Sequence, residues 1–512
     1  MISILTFLPL AGGLIILALA RRSRDSARIV AFLFALASLV LAILLWAGFE
    51  PSTPGMQFQE WHEWAPSLGI AYHVGVDGLG ILMLTLSAIV VLMSLAASWA
   101  NEKQPSVYFA LVLFLESGLF GTFTALNFVH WFIFWELSLI PAFFLVRLWG
   151  GPNRARAAAQ FFLYTMVGSI ALLLAFLALF LATGRFDFVD LANLAQSGQI
   201  LPSIANNLHW AGSPASIAQG LFWAVFLGFA VKTPVVPFHT WLPAAYAEAP
   251  SETTMLLTGA MSKMGVYGFL RILLPIFPQQ MQQARTPLLW LAVATIVLPA
   301  FAAWAQKDLK RTFAYSSVNH LGYCVLGICA VAQFAGSATE KSAALTGVLL
   351  QIFSHGLTAA ALFWFIALLE RRSGGLRGID DFGGLRKVVP VFAGLMGIAI
   401  FASLGLPGLN GFPGEFLIFK GTFPLATWAA SISVLGLLMT AVFLLTVIQK
   451  VFSGPVNLRW QTMPDLTLSE RVALFPAIAL MFVIGLYPQL ITGMVHGAVT
   501  QWVLTFSQGG HF

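Results

Sequence analysis

Six ionisable side chains sit in stretches of sequence that otherwise suit lipid. Glu136 lies within "HWFIFWELSLIPAFF", Lys232 within "FWAVFLGFAVKTPVVPFHTWLP", Lys263 within "GAMSKMGVYGFLRI", His320 within "AYSSVNHLGYC", His355 within "LLQIFSHGLTAA" and Glu415 within "LPGLNGFPGEFLIFKG". A charge at the centre of a bilayer helix costs about 3 kcal/mol on insertion scales, so each needs a partner or a purpose. The residue types share one chemistry, the exchange of protons. Neutral imidazole accepts at one nitrogen while donating at the other. Lysine, unlike arginine, can release its proton when taken out of water. Taken singly, a lysine can snorkel from a helix end, a histidine can be a hydrogen-bonded core residue, and a glutamate can sit in a static ion pair. Taken together, the six fall on the fifth, seventh, eighth, tenth, eleventh and twelfth apolar segments and form a candidate proton path. Glu116, in "LVLFLESGLFG", and His239, just after the break at Pro234 and Pro237, are candidates of second rank.

The elements that must position these groups are transmembrane helices. The chain has 59% hydrophobic and 9% charged residues and a mean hydropathy of +0.87, which places it among integral membrane proteins. Its formal charge of +6 comes from short basic clusters between apolar runs, without a basic face interleaved with aromatics, so no nucleic acid is expected as a partner. The first apolar run has no charge before it and Arg21 and Arg22 after it, the reverse of a signal peptide, and is expected to remain as a helix. Runs of about twenty apolar residues, the length that crosses a hydrocarbon core, fall near 2–20, 29–48, 77–99, 107–126, 128–148, 161–182, 219–246, 252–274, 286–304, 313–333, 343–369, 388–420, 424–449 and 472–490. The expected fold is therefore an all-α integral membrane protein of about fourteen transmembrane helices. Alternation puts 19 of the 26 basic residues on one side. By the positive-inside rule that side is cytoplasmic, and both termini lie outside.

Two of the segments interrupt themselves. Pro234 cannot bond back to the carbonyl of Ala230, nor Pro237 to that of Thr233, so the break beside Lys232 is expected to free two acceptors. Pro407 and Pro413, with Gly405, Gly408, Gly411 and Gly414, break the twelfth segment just before Glu415. Bare carbonyls at membrane depth are tolerated only when buried in protein or lining a hydrated cavity. Segments 4–8 and 9–13 each carry their broken helix fourth, and because five is odd the second block starts from the opposite side. This reads as two inverted five-helix repeats, in which corresponding broken helices point to an ion path. The expected division is 1–106 for helices 1–3, 107–274 and 286–449 for two proton half-channels, and 450–512 for a last helix and a short tail.

The segments quoted above, with "EAPSETTMLLTGAMSKMGVYGFLRI" and "DLKRTFAYSSVNHLGYCVLGI", resemble the antiporter-like membrane subunits of respiratory complex I, the proton-pumping NADH:quinone oxidoreductase, and most closely the NuoM type, the counterpart of chain 4. The likeness spans about residues 70 to 450. It implies a non-redox translocase subunit of the membrane arm of a respiratory chain complex in a bacterial inner membrane, with both termini periplasmic. It also implies other membrane-arm subunits, including neighbouring antiporter-like ones, as partners. By motif, Glu136 and Lys232 match a coupling ion pair, Lys263 the central lysine, His320 and His355 the relay histidines, and Glu415 the terminal acid. In "HTWLPAAYAEAPSETT" the chain departs from the family, with Ala244 and Tyr246 where Asp and His are usual.

Neither a GxGxxG after a strand, a P-loop nor a cysteine set for an iron–sulfur cluster is present, and Cys324 and Cys329 have neither redox nor metal-knuckle spacing. No metal or cofactor is expected in this chain; NADH, FMN, iron–sulfur clusters and quinone are expected in partner subunits. Two further readings compete. The same module serves multisubunit Na+/H+ antiporters, membrane-bound hydrogenases and inorganic-carbon uptake complexes, and buried charges can also serve packing alone.

Overall fold

The computed structural model describes residues 1–19, 24–53 and 55–508; Arg21 and Arg22, expected to mark the first basic loop, lie outside them. The chain opens with α1 (Ile2–Leu19) and α2 (Arg24–Gly48), then a hairpin of β1 (Gln57–Ala65) and β2 (Ile70–Val76). Four long helices follow: α3 (Gly78–Ala97), α4 (Pro105–Thr124), α5 (Phe128–Trp149) and α6 (Arg154–Thr183). Short α7 (Phe188–Gln196) and α8 (Ile200–Asn207) lead to α9 (Pro214–Lys232) and α10 (Trp241–Glu248), the two halves of the first broken segment. The eighth segment is a continuous run of α11 (Ser251–Leu256), α12 (Lys263–Gly268) and α13 (Leu274–Ile276), joined by π-helical turns at Leu257–Met261 and Phe269–Leu273. After α14 (Pro278–Gln283) come α15 (Arg285–Trp304), α16 (Leu309–Val331), α17 (Ala338–Ser373) and the single turn α18 (Leu385–Val388). The second broken segment is α19 (Pro390–Ser403) and α20 (Gly411–Leu425), followed by α21 (Thr427–Val447), α22 (Leu468–Leu486) and α23 (Gln489–Gln508).

Eleven of the described helices are long and apolar enough to cross a membrane. The other apolar segments read from the sequence are α1, the π-interrupted run 251–276 and the split pair α19 and α20. The helices differ in what surrounds them. α2 and α22 bury only about a quarter of their residues, as helices facing lipid do, whereas α16 and α17 are buried over nearly their whole length. A helix that is enclosed all round belongs to the centre of its protein, and α16 and α17 are the two that carry His320 and His355.

The loops that alternation assigns to the basic side are joined to one another. Lys103 Nζ donates to the Leu148 carbonyl (2.5 Å), Gly151 N to the Glu248 carbonyl (2.8 Å), and Arg371 contacts both Glu252 and the Ala97 carbonyl. Arg372 pairs with Glu470 (2.6 Å) and Lys450 with Asp380 (2.7 Å). The opposite face has its own contacts. The N-terminal ammonium pairs with Glu60 (2.6 Å) and His73 Nδ1 with Asp187 Oδ2 (2.5 Å).

Three features go beyond the all-α expectation. The hairpin pairs antiparallel, with Trp61 opposite His73, turns at Gly69 in the left-handed region (φ 64°), and covers the N-terminal face. The tail, read from sequence only as short, holds the 20-residue helix α23. Its buried residues Val495, Val499, Trp502 and Phe506 recur at helical spacing. It packs on α3 and α17, close enough that a Cβ at Gly78 would strike the Met494 carbonyl. Lys341 Nζ meets the Phe506 carbonyl (3.3 Å) near its end, where a cation complements the helix dipole. Arg271 is buried in an ion pair with Asp77, whose side chain caps α3 by accepting from Gly80 N (3.0 Å).

Candidate proton path

The ladder of the eighth segment slips one residue before Lys263. Ser262 N bonds to the Leu257 carbonyl (3.0 Å), as in a π turn, and passes over the carbonyl of Thr258. That carbonyl instead accepts from Lys263 Nζ and from Ser262 Oγ (3.1 Å). The Lys263 ammonium, wholly buried, also lies 2.8 Å from His355 Nδ1 and 3.5 Å from Ser262 Oγ. Local backbone geometry thus builds the cradle that holds a buried cation beside an imidazole.

From His355 the groups continue across α16, α17 and α20. The rings of His355 and His320 are 5.2 Å apart between centroids. His320 Nδ1 lies 3.1 Å from Glu415 Oε1, and its Nε2 lies 3.1 Å from Ser403 Oγ. Gln351 sits one turn before His355 on α17, and its Nε2 is 3.3 Å from both His320 Nδ1 and Glu415 Oε1. Glu415 is seated by the second break. Gly405, in the left-handed region at φ 77°, leaves a space in which a Cβ would come within 2.6 Å of Glu415 Oε2. Asn410 ties the break to α17 through the Ser354 carbonyl (3.1 Å) and the Thr358 hydroxyl (3.2 Å).

Lys232, 3% exposed, ends α9. Its ammonium lies 4.8 Å from the ring centroid of Trp135, whose indole N–H is fixed on Ser169 Oγ (3.1 Å). A cation over a desolvated indole gains about 2 kcal/mol. Glu136 is close enough for its charge to act on Lys232, yet no hydrogen bond joins the two, and Lys232 Nζ and Glu136 Oε1 are both buried without a partner among the described residues. The ion pair expected from sequence is therefore not a direct contact; the indole of the neighbouring Trp135 lies against the ammonium instead.

The break after Lys232 is better satisfied than its prolines suggest. Val235 N takes the Ala230 carbonyl (2.8 Å), so that acceptor is not bare. The Trp241 indole donates to the Val231 carbonyl (3.0 Å), and Val236 N donates to Thr295 Oγ1 (2.9 Å). In the second break, Pro407 lies within the non-helical stretch, but Pro413 does not break anything. It is the third residue of α20, in a first turn whose N–H groups have no intrahelical acceptor.

These arrangements can be set beside known proteins. Residues 125–443, more than half of the chain, match the family model described as NADH:quinone oxidoreductase/Mrp antiporter, TM. The chain belongs to this antiporter-like membrane family. It is 35% identical over 511 residues to NADH-quinone oxidoreductase subunit M of Rhodobacter capsulatus, covering 99% of this chain and 97% of that one. It is 31% identical to the subunit M of Mycobacterium tuberculosis strain H37Rv, covering 99% and 94%. Among solved structures it superposes on a chain of respiratory complex I from Thermus thermophilus with a TM-score of 0.85 and 28% identity over all of both chains. A chain of the Mrp complex from Dietzia sp. DQ12-45-1b shares the fold, with a TM-score of 0.81 at 20% identity over 99% of each.

Within this antiporter-like chain, four of the six candidates read from sequence, Lys263, His355, His320 and Glu415, form one connected set, and Glu136 and Lys232 form a second group. Glu116 and His239 touch neither. Glu116 is fully buried with both carboxylate oxygens unpartnered among the described residues, and the half-buried His239 faces Tyr315 at 6.5 Å with Nδ1 unpartnered. Sequence reasoning missed Gln351, Ser403 and Trp135. Only Gln351 had a signal, its place four residues before His355 on one helical face. The π turn at 257–261 had none.

Proposed function

We propose that the chain is the M-type, proton-translocating subunit of an NADH:quinone oxidoreductase in a bacterial inner membrane, working beside other membrane-arm subunits. Subunit M relatives matched along nearly their whole length support this, as does the likeness to a complex I chain at 28% identity. NADH oxidation, FMN, iron–sulfur clusters and quinone belong to partner subunits in this reading, and the chain's work is coupled proton transfer. The basic face is cytoplasmic and both termini are periplasmic.

The single observation that carries the mechanism is the unbroken contact from Lys263 through His355 and His320 to Glu415. A proton leaves Lys263 Nζ for His355 Nδ1, and the imidazole releases its other proton toward His320. His320 in turn supplies Glu415 through its own Nδ1. Each imidazole accepts at one nitrogen and releases from the other, so it changes tautomer but keeps no net charge, and the next turnover requires the tautomer to be reset. Blocks 107–274 and 286–449 act as two half-paths joined at the 2.8 Å Lys263–His355 contact. Lys232 and Glu136 set the charge state at the start of the first.

An affinity-tagged chain purified with its partners tests the reading. The isolated assembly should oxidise NADH with quinone and should acidify the lumen of proteoliposomes that hold it with the catalytic arm outside. An assembly without NADH oxidation, exchanging Na+ for H+ instead, would move the chain to the Mrp side of its family.

A further inference from the structure

Lys263 needs a way to exchange its proton with water, and the two directions open to it differ. Toward the N-terminal face, the same helical stripe continues to Tyr267 and Arg271. Tyr267 OH donates to the Phe123 carbonyl (3.2 Å), and the Arg271 guanidinium is locked in its buried pair with Asp77. Arginine keeps its proton, and the Tyr267 hydroxyl, unlike an unpartnered one, already has its proton on a backbone carbonyl and its oxygen against Arg271 Nε (3.4 Å), so that end is closed by a fixed charge pair and a committed hydroxyl.

Toward the basic face lies Tyr246, on α10. Its side chain is wholly buried, and its hydroxyl has no hydrogen-bond partner among the described residues. An orphan hydroxyl in a packed interior is destabilising and asks for an explanation. The side chains of Ser262 and Thr258 lie beside it, and neither forms a hydrogen bond with it. Those two residues are the ones whose hydroxyl and carbonyl hold the Lys263 ammonium. The tyrosine is held in place by Phe363, at 6.1 Å and edge to face, and by Thr254, whose hydroxyl donates to the Tyr246 carbonyl (3.1 Å). One residue further on, the Ala247 carbonyl accepts from Arg377 (2.6 Å), and the Ala249 carbonyl accepts from Lys310. Tyr246 therefore stands between the ionic network of the basic face and the cradle of the central lysine.

We propose that the Tyr246 hydroxyl relays protons between the basic face and Lys263, by way of Ser262. In the step, the phenol O–H bond breaks as its proton passes through the Ser262 hydroxyl to the neutral Lys263 amine, and a proton from the basic face forms a new O–H bond on the same oxygen. No charge is left on the tyrosine. A hydroxyl both donates its proton and accepts one at its oxygen, so a buried tyrosine here leaves the path open. The inference rests on the proton-translocating reading above.

The test uses the intact complex in proteoliposomes, measuring protons moved per NADH oxidised. Tyr246→Phe keeps the ring and its packing but loses the hydroxyl, and should lose most translocation while assembly persists. Tyr246→His packs less like the native ring yet restores a relaying group, and should recover most of the loss. A structural role predicts the opposite order, with Phe unaffected and His impaired, and that order overturns the proposal. Phe and His failing alike in an assembled complex also overturns it. Should either Tyr246 variant fail to assemble, Ser262→Ala removes the next hydroxyl without touching the tyrosine, and full translocation there overturns the route. Failure of this proposal is distinct from failure of the functional reading, because a complex that oxidises NADH and pumps normally as Tyr246→Phe removes only the relay.

Discussion

Lys263 is held by a carbonyl on one side and an imidazole on the other, which is the arrangement of a donor about to lose its proton and also that of a fixed cation. Arginine separates the two roles, because its guanidinium retains the proton where lysine can release it. Lys263→Arg is expected to assemble and to keep the positive charge beside His355, yet to lower proton translocation about tenfold or more, in keeping with loss of a proton-transferring group. Equal pumping by Arg would show that charge alone suffices and that the path bypasses this residue. The residues that matter here were legible to different degrees. Lys263, His320, His355 and Glu415 stood out because charged and titratable groups are rare in apolar helices. Gln351 and Ser403 did not, because neutral polar residues are unremarked in such helices, and only the packing of α16 against α17 and the second broken segment brings them to His320. The gap between Glu136 and Lys232 was equally hidden, since no spacing in sequence tells where the Trp135 ring will lie.

At the scale of elements, the breaks were visible and their repair was not. Prolines announce where a helix loses donors, but the partners that take over the freed carbonyls come from distant positions. Here Trp241 and Thr295 satisfy groups on either side of the first break, and Val235 retakes the Ala230 carbonyl. The π turn before Lys263 carries no residue signature at all. The structure sharpens what the prolines do. Replacing Pro234 and Pro237 with alanine restores two N–H donors, so the new N–H at position 234 competes with Val235 N for the Ala230 carbonyl and the segment can run on as a helix. That would swing Trp241 off Val231 and move α10, with Tyr246, away from the Lys263 cradle. The double variant should insert and assemble but translocate protons several-fold less well, with a continuous seventh helix in its structure. Full translocation with a continuous helix would make the break a packing feature only.

At the scale of the whole molecule, hydropathy alone made the hairpin and α23 hard to see, because both lie on a face of the protein and neither is long and apolar enough to cross. What the charge pattern did convey was sidedness. The loops that alternation groups together are joined by Arg371, Arg372, Lys450 and Lys103 into one network, and the hairpin, α7 and the N-terminus share the other face. Under the positive-inside rule this geometry corresponds to the proposed orientation, in which the network is cytoplasmic. Thiol labelling can decide it, because the native Cys324 and Cys329 are buried and leave little background for a membrane-impermeant maleimide. Ser197, just beyond α7, and Gln461, in the loop before α22, are both exposed and lie on opposite faces. Ser197→Cys should be labelled in right-side-out membrane vesicles and protected in inverted ones, and Gln461→Cys should behave the other way round. The reverse pattern would place the basic network outside and with it the Tyr246 route to Lys263, so that protons would load the central lysine from the periplasm; labelling of both cysteines in the same vesicle type and protection of both in the other would mean that the segments between residues 197 and 461 do not separate the two faces.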